Sequence, residues 1–140
     1  MMDGNDAALV SASYARVATR GAALTIAFFT RMHETLPRLR HLFPFDDLEK
    51  RAVAKELFDL VVGHLSSKSE LAELLERMGR RGLLDRVDGK EVAELGVCLV
   101  QTLAYFDDGW TSETKEAWES VYTWAVAAAA RGARVRRRAH

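Results

Sequence analysis

Apolar residues recur every three to four positions along most of this chain, a spacing that predicts amphipathic helices rather than strands. Val92, Leu95 and Leu99 belong to one such stripe. Only Pro37 and Pro44 interrupt the 140 residues, and no segment sustains the apolar–polar alternation typical of a strand. Because 49% of the residues are hydrophobic, the chain is long and apolar enough for a single core. We therefore predict one all-α domain.

Capping residues and glycines predict where these helices begin and end. The expected helices cover residues 7–19, 22–34, 38–42, 47–65, 68–81, 89–106 and 112–130. Asn5 or Asp6 is expected to cap the first helix, Ser67 and Asp88 each open a capping box, and Thr111 is expected to cap the last helix. Gly82 is expected to end the helix over 68–81, and Gly132 is expected to close the last helix. The predicted organisation is a disordered N-terminus over residues 1–6, a helical domain over 7–132 and a basic C-terminal tail over 133–140.

Composition limits the classes of function. Lysine and arginine total 20, as do aspartate and glutamate, so zero formal net charge argues against a nucleic-acid partner. The basic tail, with Arg136, Arg137 and Arg138, could contact an anionic partner or simply be solvated. The lone Cys98 excludes an internal disulfide, and the N-terminus lacks the features of a signal peptide. With no apolar run of membrane-spanning length, we expect a cytoplasmic protein.

Catalytic motifs are not found in the sequence. No His or Cys pair has metal-ligand spacing, and neither a phosphate-binding glycine loop nor a nucleophile elbow occurs. Acidic residues such as Asp46 and Asp108 fall at helix starts and turns, where capping explains them. We therefore predict that the chain is not an enzyme.

Several strings, in order, resemble the single-domain bacterial haemoglobins related to the flavohaemoglobins. The strings are Phe28-Phe29-Thr30-Arg31-Met32, then Pro37, then His41-Leu42-Phe43-Pro44, then Leu75-Glu76-Arg77-Met78-Gly79-Arg80-Arg81, and finally Glu116-Ala117-Trp118-Glu119-Ser120-Val121-Tyr122. The resemblance covers most of residues 9–130. It implies a globin-like fold of about six to eight helices, with Phe43 where globins keep the phenylalanine that stacks on the porphyrin.

The same resemblance implies that the haem chemistry has been lost. Gly82 occupies the position of the proximal histidine, and no histidine lies between positions 64 and 140. A globin needs that imidazole on the helix beneath the iron. Phe29 and Lys50 replace the usual distal tyrosine and glutamine, and Val92 replaces the tyrosine that supports the proximal imidazole. The former pocket thus lacks both its iron ligand and its polar distal groups.

An unfilled haem-sized cavity would be costly, at about 24 cal/mol per Å³. We therefore expect side chains to fill it; the candidates are Phe28, Phe29, Phe43, Phe58, Leu83 and Leu84. If haem binds after all, Lys50, Met78 or a displaced His41 would have to ligate the iron, although a solvated lysine, a core methionine and a surface histidine are the simpler interpretations. Cys98, His33 and His64 are weaker candidates.

Three functions follow from the resemblance. The first is a haem-free globin-like protein with no cofactor, acting as a sensory, signalling or protein-interaction module. Its protein partner is unidentified. Trp110, Trp118 and Tyr105, taken as exposed aromatic residues around the last interhelical turn, are candidate contact residues, although ordinary packing is the simpler interpretation of each. The resemblance also implies a homodimer through the last two helices. The second is a haem-binding globin with unusual axial ligation that binds oxygen or another diatomic gas. The third is a carrier of an apolar small molecule in the vacated pocket.

Overall fold

The computed structural model describes residues 2–40, 47–82, 85 and 87–139, and these residues form helices and connecting turns without a strand. The α-helices are α1 (Gly4–Val17), α2 (Gly21–Thr35), α3 (Asp47–Gly63), α4 (Lys68–Arg80), α5 (Gly89–Phe106) and α6 (Ser112–Ala139), and two short 3₁₀ segments cover Ala18–Arg20 and Pro37–Arg40. The all-α prediction is therefore confirmed for the described residues. None of their helices combines the length and apolarity needed to cross a bilayer.

Helix α1 begins earlier than predicted. Asp3, not Asn5 or Asp6, is its N-cap: the Asp3 carboxylate accepts from the Asp6 N–H at 2.8 Å, and the Asp6 carboxylate accepts from the Asp3 N–H at 3.0 Å. This reciprocal capping box supplies acceptors for two backbone N–H groups that have no acceptor within the helix at its start. Met2 is fully buried, and Lys68 Nζ donates to its carbonyl oxygen at 2.6 Å. Residues 4–6, expected to be disordered, thus belong to the helix.

The other predicted caps had mixed outcomes. Asp88 forms the expected capping box with Glu91 at the start of α5, and Thr111 Oγ1 accepts from the Thr114 N–H at 3.1 Å at the start of α6. Both predictions are confirmed. The Ser67 box is wrong: Ser67 is the N-cap of α4, but its side chain makes no capping hydrogen bond. Its backbone angles, φ −124° and ψ 64°, depart from the extended conformation that a capping serine adopts.

Glycines bring α4 and α6 into backbone contact. A Cβ added to Gly79 would lie 1.8 Å from the carbonyl oxygen of Ala129, and one added to Gly132 would lie 1.8 Å from that of Glu76. Only glycine allows so close an approach. The prediction that Gly132 closes the last helix is therefore wrong, because this glycine is buried at the crossing and α6 continues to Ala139. Most of the expected basic tail lies on this helix.

The remaining helices surround one hydrophobic core. Helix α1 packs on α6, α2 packs on both α3 and α5, and α5 also contacts α6. The α6 residues Ala117, Val121 and Ala128 are buried in this core, as the periodicity of their segment predicts. Helices α5 and α6 thus contact each other, and each also packs on a helix from the first part of the chain, α2 on α5 and α1 on α6.

Candidate functional site

The position that the resemblance assigns to the iron ligand lies in a turn after α4, rather than inside a helix. Gly82 has φ 101°, a left-handed conformation that favours glycine, and its N–H donates to the Gly79 carbonyl oxygen at 3.1 Å. It follows the C-cap residue Arg81, where such a glycine commonly ends a helix. The local role of Gly82 is therefore helix termination, as its place in the sequence predicts.

The side chains of α4 and the described histidines and cysteine do not fit an imidazole-ligated haem beneath this helix. Helix α4 carries no histidine, and Met78, its only thioether, packs against the hydrophobic core. His33 lies on α2, and His64 at the end of α3 has Nδ1 2.7 Å from the Leu60 carbonyl oxygen. Burial raises the pKa of the Cys98 thiol above its usual value, which disfavours the thiolate that iron ligation requires.

Phe29, one of the two predicted distal residues, lies on α2 beside Phe28, and the two form an aromatic group. Phe28 and Phe29 are half-buried, with ring centroids 5.4 Å apart in an edge-to-face arrangement. The Phe29 ring also lies 6.2 Å from that of His33. Helix α2 packs on α3 and α5, whereas α4, which carries Met78, packs on α6.

Val92, the residue that the resemblance places where a supporting tyrosine usually stands, contacts α6 through its backbone. Its side chain is half-buried on α5, and its carbonyl oxygen accepts from the Tyr122 hydroxyl at 2.6 Å. The Tyr122 ring lies against Gly96, where a Cβ would come within 2.7 Å of a ring carbon. Burial raises the pKa of Tyr122 to about 12, so the phenol stays protonated and keeps donating. This contact joins α5 to α6.

Several predicted positions fall outside the described residues. His41, Phe43, Leu83 and Leu84 are among them. Lys50 belongs to α3 and residues 136–138 to α6 by their backbone, but the described side chains do not include theirs. Phe58, a candidate for filling the pocket, lies on α3 between Tyr14 and Trp118, with ring centroids at 6.0 and 6.4 Å.

The aromatic residues near the α5–α6 turn differ in exposure. Trp118 is only 3% exposed, so the prediction that it is a surface contact residue is wrong. Its indole N–H donates to Ser13 Oγ at 2.9 Å, and its ring packs edge-on against Phe58. Trp110 is half-buried and packs against the core. Tyr105, by contrast, is 77% exposed.

A buried polar cluster, which the sequence did not reveal, joins α1 to the α5–α6 turn. The Asp107 carboxylate accepts from Ser13 Oγ at 2.6 Å, from the Arg16 guanidinium at 2.5 and 2.9 Å, and from the Gly109 N–H at 2.9 Å. The Asp107 side chain is completely buried, whereas that of Arg16 is 38% exposed. Since Trp118 donates to the same Ser13 oxygen, the cluster (Ser13, Arg16, Asp107, Gly109 and Trp118) also reaches α6.

Titration of Asp107 should make stability depend on pH. Burial alone would raise the pKa of Asp107, but hydrogen bonds from Arg16, Ser13 and the Gly109 N–H outweigh it and hold the pKa below its usual value. The stabilisation is then complete above the unfolded value of about 3.9 and is lost as the pH falls below it through the folded pKa.

We therefore expect the stability difference between wild type and Asp107→Asn to be constant from about pH 7 to pH 5 and to shrink near pH 3. Urea unfolding across this range measures the difference, and other acidic groups cancel because both proteins contain them. A difference that stays constant down to pH 3 would show that this carboxylate does not titrate as its contacts require.

Comparison with other proteins adds no family assignment. The chain matches no model of a known protein family, and no curated protein is significantly similar to it.

Proposed function

We propose that this chain is a haem-free globin-like protein that acts as a sensory or protein-interaction module, with side chains filling the former pocket. The observation that carries the proposal is at Gly82, the position that the resemblance gives to the iron ligand. That residue ends α4 in a left-handed turn and offers no donor atom. A proximal ligand therefore has no place on this helix.

The surroundings of α4 support the same proposal. The only sulfur ligand on this helix, Met78, contributes to the hydrophobic core. The Phe29 ring packs edge-on against that of Phe28 at the position to which the resemblance assigns a polar distal group, and an apolar residue there is what a filled pocket requires. Helices α4 and α6 also pack directly on each other through backbone contact at Gly79 and Gly132.

Haem binding is the direct test. The protein would be expressed with ample haem, its absorption spectrum recorded, and the purified apoprotein then titrated with hemin. We expect no sharp Soret band at one-to-one stoichiometry, because α4 supplies no strong axial ligand. A stoichiometric Soret band that disappears in Lys50→Ala, Met78→Leu or His41→Ala would instead establish a haem protein with unusual ligation.

An experiment can also distinguish the proposed interaction module from a carrier of an apolar small molecule. A carrier of an apolar molecule would be purified with extractable lipid or pigment. An interaction module would contain none and would bind a defined protein. Organic extraction of the purified protein, followed by mass spectrometry, distinguishes the two, and a stoichiometric extracted molecule would contradict the proposal.

A further inference from the structure

The arginine side chains that the structure describes fall into two groups. Those of the first group form an ion pair, a side-chain hydrogen bond or a cation–π contact; they are Arg16, Arg20, Arg31, Arg38 and Arg131. Those of the second group are exposed and make no hydrogen bond or ion pair with another described residue; they are Arg77, Arg80, Arg81 and Arg134. We name the second group the arginine cluster.

The arginine cluster lies where α4 crosses α6. Gly79 of α4 meets the backbone of Ala129, and Glu76, three residues earlier in α4, meets Gly132, three residues later in α6. The two helices are therefore antiparallel, with position 77 level with position 131. Position 134 is then level with position 74, so the cluster extends over seven residues of α4, or about 10 Å.

An ion pair shows which sides of the two helices meet at this crossing. Arg131 Nε lies 3.0 Å from Glu76 Oε1. Arg80 is four residues after Glu76 and Arg134 is three residues after Arg131, so both arginines share the side of their helix on which the pair lies. Because Glu76 is neutralised by this pair, Glu73 is the one described acid of α4 within a turn of the cluster that lacks a partner.

Helix electrostatics explains only part of the arginine cluster. The carbonyl end of a helix favours cations, which accounts for Arg77, Arg80 and Arg81 at the end of α4. This effect falls off within the last turn of a helix. Arg134 lies five residues before Ala139, where α6 ends, and so is beyond its reach. The position of Arg134 beside the other three therefore needs a different explanation.

We propose that the arginine cluster binds an acidic segment of a partner protein, whose carboxylates pair with the guanidinium groups. A guanidinium group presents two parallel N–H donors to one carboxylate, whereas a lysine ammonium acts as a point charge. Val135, which is 51% exposed and four residues after Arg131, offers an apolar contact beside the charges. This inference rests on the proposed role as an interaction module, and it states the chemistry of the partner.

Other anionic partners fit the arginine cluster less well. The chain has zero formal net charge, so no long-range field draws it toward a nucleic acid. Proteins that bind duplex DNA tightly make on the order of 6–10 phosphate contacts, more than this cluster supplies. Binding at a bilayer surface requires a broad apolar face beside the basic residues, and Val135 is a single side chain.

Peptide binding tests the proposal. The probe is a fluorescently labelled peptide of alternating glutamate and alanine, and its control has glutamine at each glutamate position. Fluorescence anisotropy at low salt should show the glutamate peptide binding to wild type about tenfold or more tightly than the glutamine peptide. The affinity should fall as salt screens the charges.

Charge reversal locates the binding surface. Arg80→Glu/Arg134→Glu should weaken binding of the glutamate peptide about tenfold or more. The control Lys90→Glu/Lys115→Glu makes the same change in net charge at two exposed lysines, at the starts of α5 and α6, and should weaken it by less than about threefold. Arg80→Lys/Arg134→Lys keeps the charge, cannot form bidentate pairs and should lie between the two. All these side chains are exposed, so the unfolding midpoints should stay close to that of wild type.

Three results would overturn the inference. The first is a glutamate peptide that does not bind wild type at low salt. The second is equal loss in the arginine and lysine reversals, because binding would then follow net charge alone. The third is a duplex oligonucleotide or a phosphatidylserine vesicle that binds through the cluster more tightly than the peptide, which would assign the cluster to nucleic acid or to a membrane. The haem titration reports on the pocket and not on this surface, so failure of the proposed function and failure of this inference are seen separately.

Discussion

Replacing Gly132 by alanine should lower the free energy of unfolding by about 3 kcal/mol, although alanine is the better helix former by about 1 kcal/mol. The added Cβ would lie 1.8 Å from the backbone carbonyl oxygen of Glu76, and a backbone atom cannot rotate out of the way as a side chain can. The α4–α6 crossing would have to separate, and the contacts around it would be lost. Gly79→Ala should have a similar effect, because its Cβ would meet the Ala129 carbonyl oxygen at the same distance.

Gly63→Ala is the matched control. Gly63 is also helical, but a Cβ added there meets no atom within 4 Å. This substitution should leave stability unchanged or raise it by up to about 1 kcal/mol. Urea unfolding measures all three variants. If Gly132→Ala and Gly63→Ala shifted the midpoint in the same direction, α4 and α6 would not be in backbone contact.

Removing the Asp107 carboxylate should also lower the free energy of unfolding, by about 3 kcal/mol. Breaking a buried ion pair from one side typically costs 3–5 kcal/mol, and the lower end applies because the Arg16 side chain is 38% exposed and water can reach it. Asp107→Ala would also leave Ser13 Oγ and the Gly109 N–H without their acceptor. The predicted loss is therefore the joint loss of an ion pair and two hydrogen bonds.

The neighbouring carboxylate provides the control for this prediction. Asp108 is exposed, so Asp108→Ala should change stability by less than about 0.5 kcal/mol. Because Ser13 also accepts from Trp118, the emission of Trp118 should change in Asp107→Ala and remain unchanged in Asp108→Ala. Equal stability of the two variants would contradict the network described above.

Features set by local chemistry could be predicted from the sequence, and features set by tertiary contact could not. The Asp88 and Thr111 caps and the termination of α4 before Gly82 depend on residues within a few positions of each other. Gly132 has the sequence signature of a helix end, but its role is fixed by Glu76, which belongs to another helix. The predicted end of α6 is therefore wrong because the contact that determines the role of Gly132 is made with a residue distant in sequence.

The same distinction between local and distant contacts applies to the candidate site. Phe28 and Phe29 do lie together, since they are adjacent on one helix. The Asp107 cluster was missed because Ser13 and Asp107 are 94 residues apart and Asp107 stands in an Asp-Asp-Gly string typical of a turn. Trp118 was expected at the surface for the same reason: its partner, Ser13, lies on the first helix.

The most direct test of the central claim is thermal unfolding of the haem-free protein, recorded with and without about a tenfold excess of hemin. A ligand that binds only the native state stabilises it by RT ln(1 + [L]/Kd), so tighter binding raises the unfolding midpoint further. We predict one cooperative transition in the absence of hemin and no increase of its midpoint when hemin is added. An apoprotein without a cooperative transition, or a midpoint that hemin raises, would mean that the fold still depends on haem and would contradict the proposal.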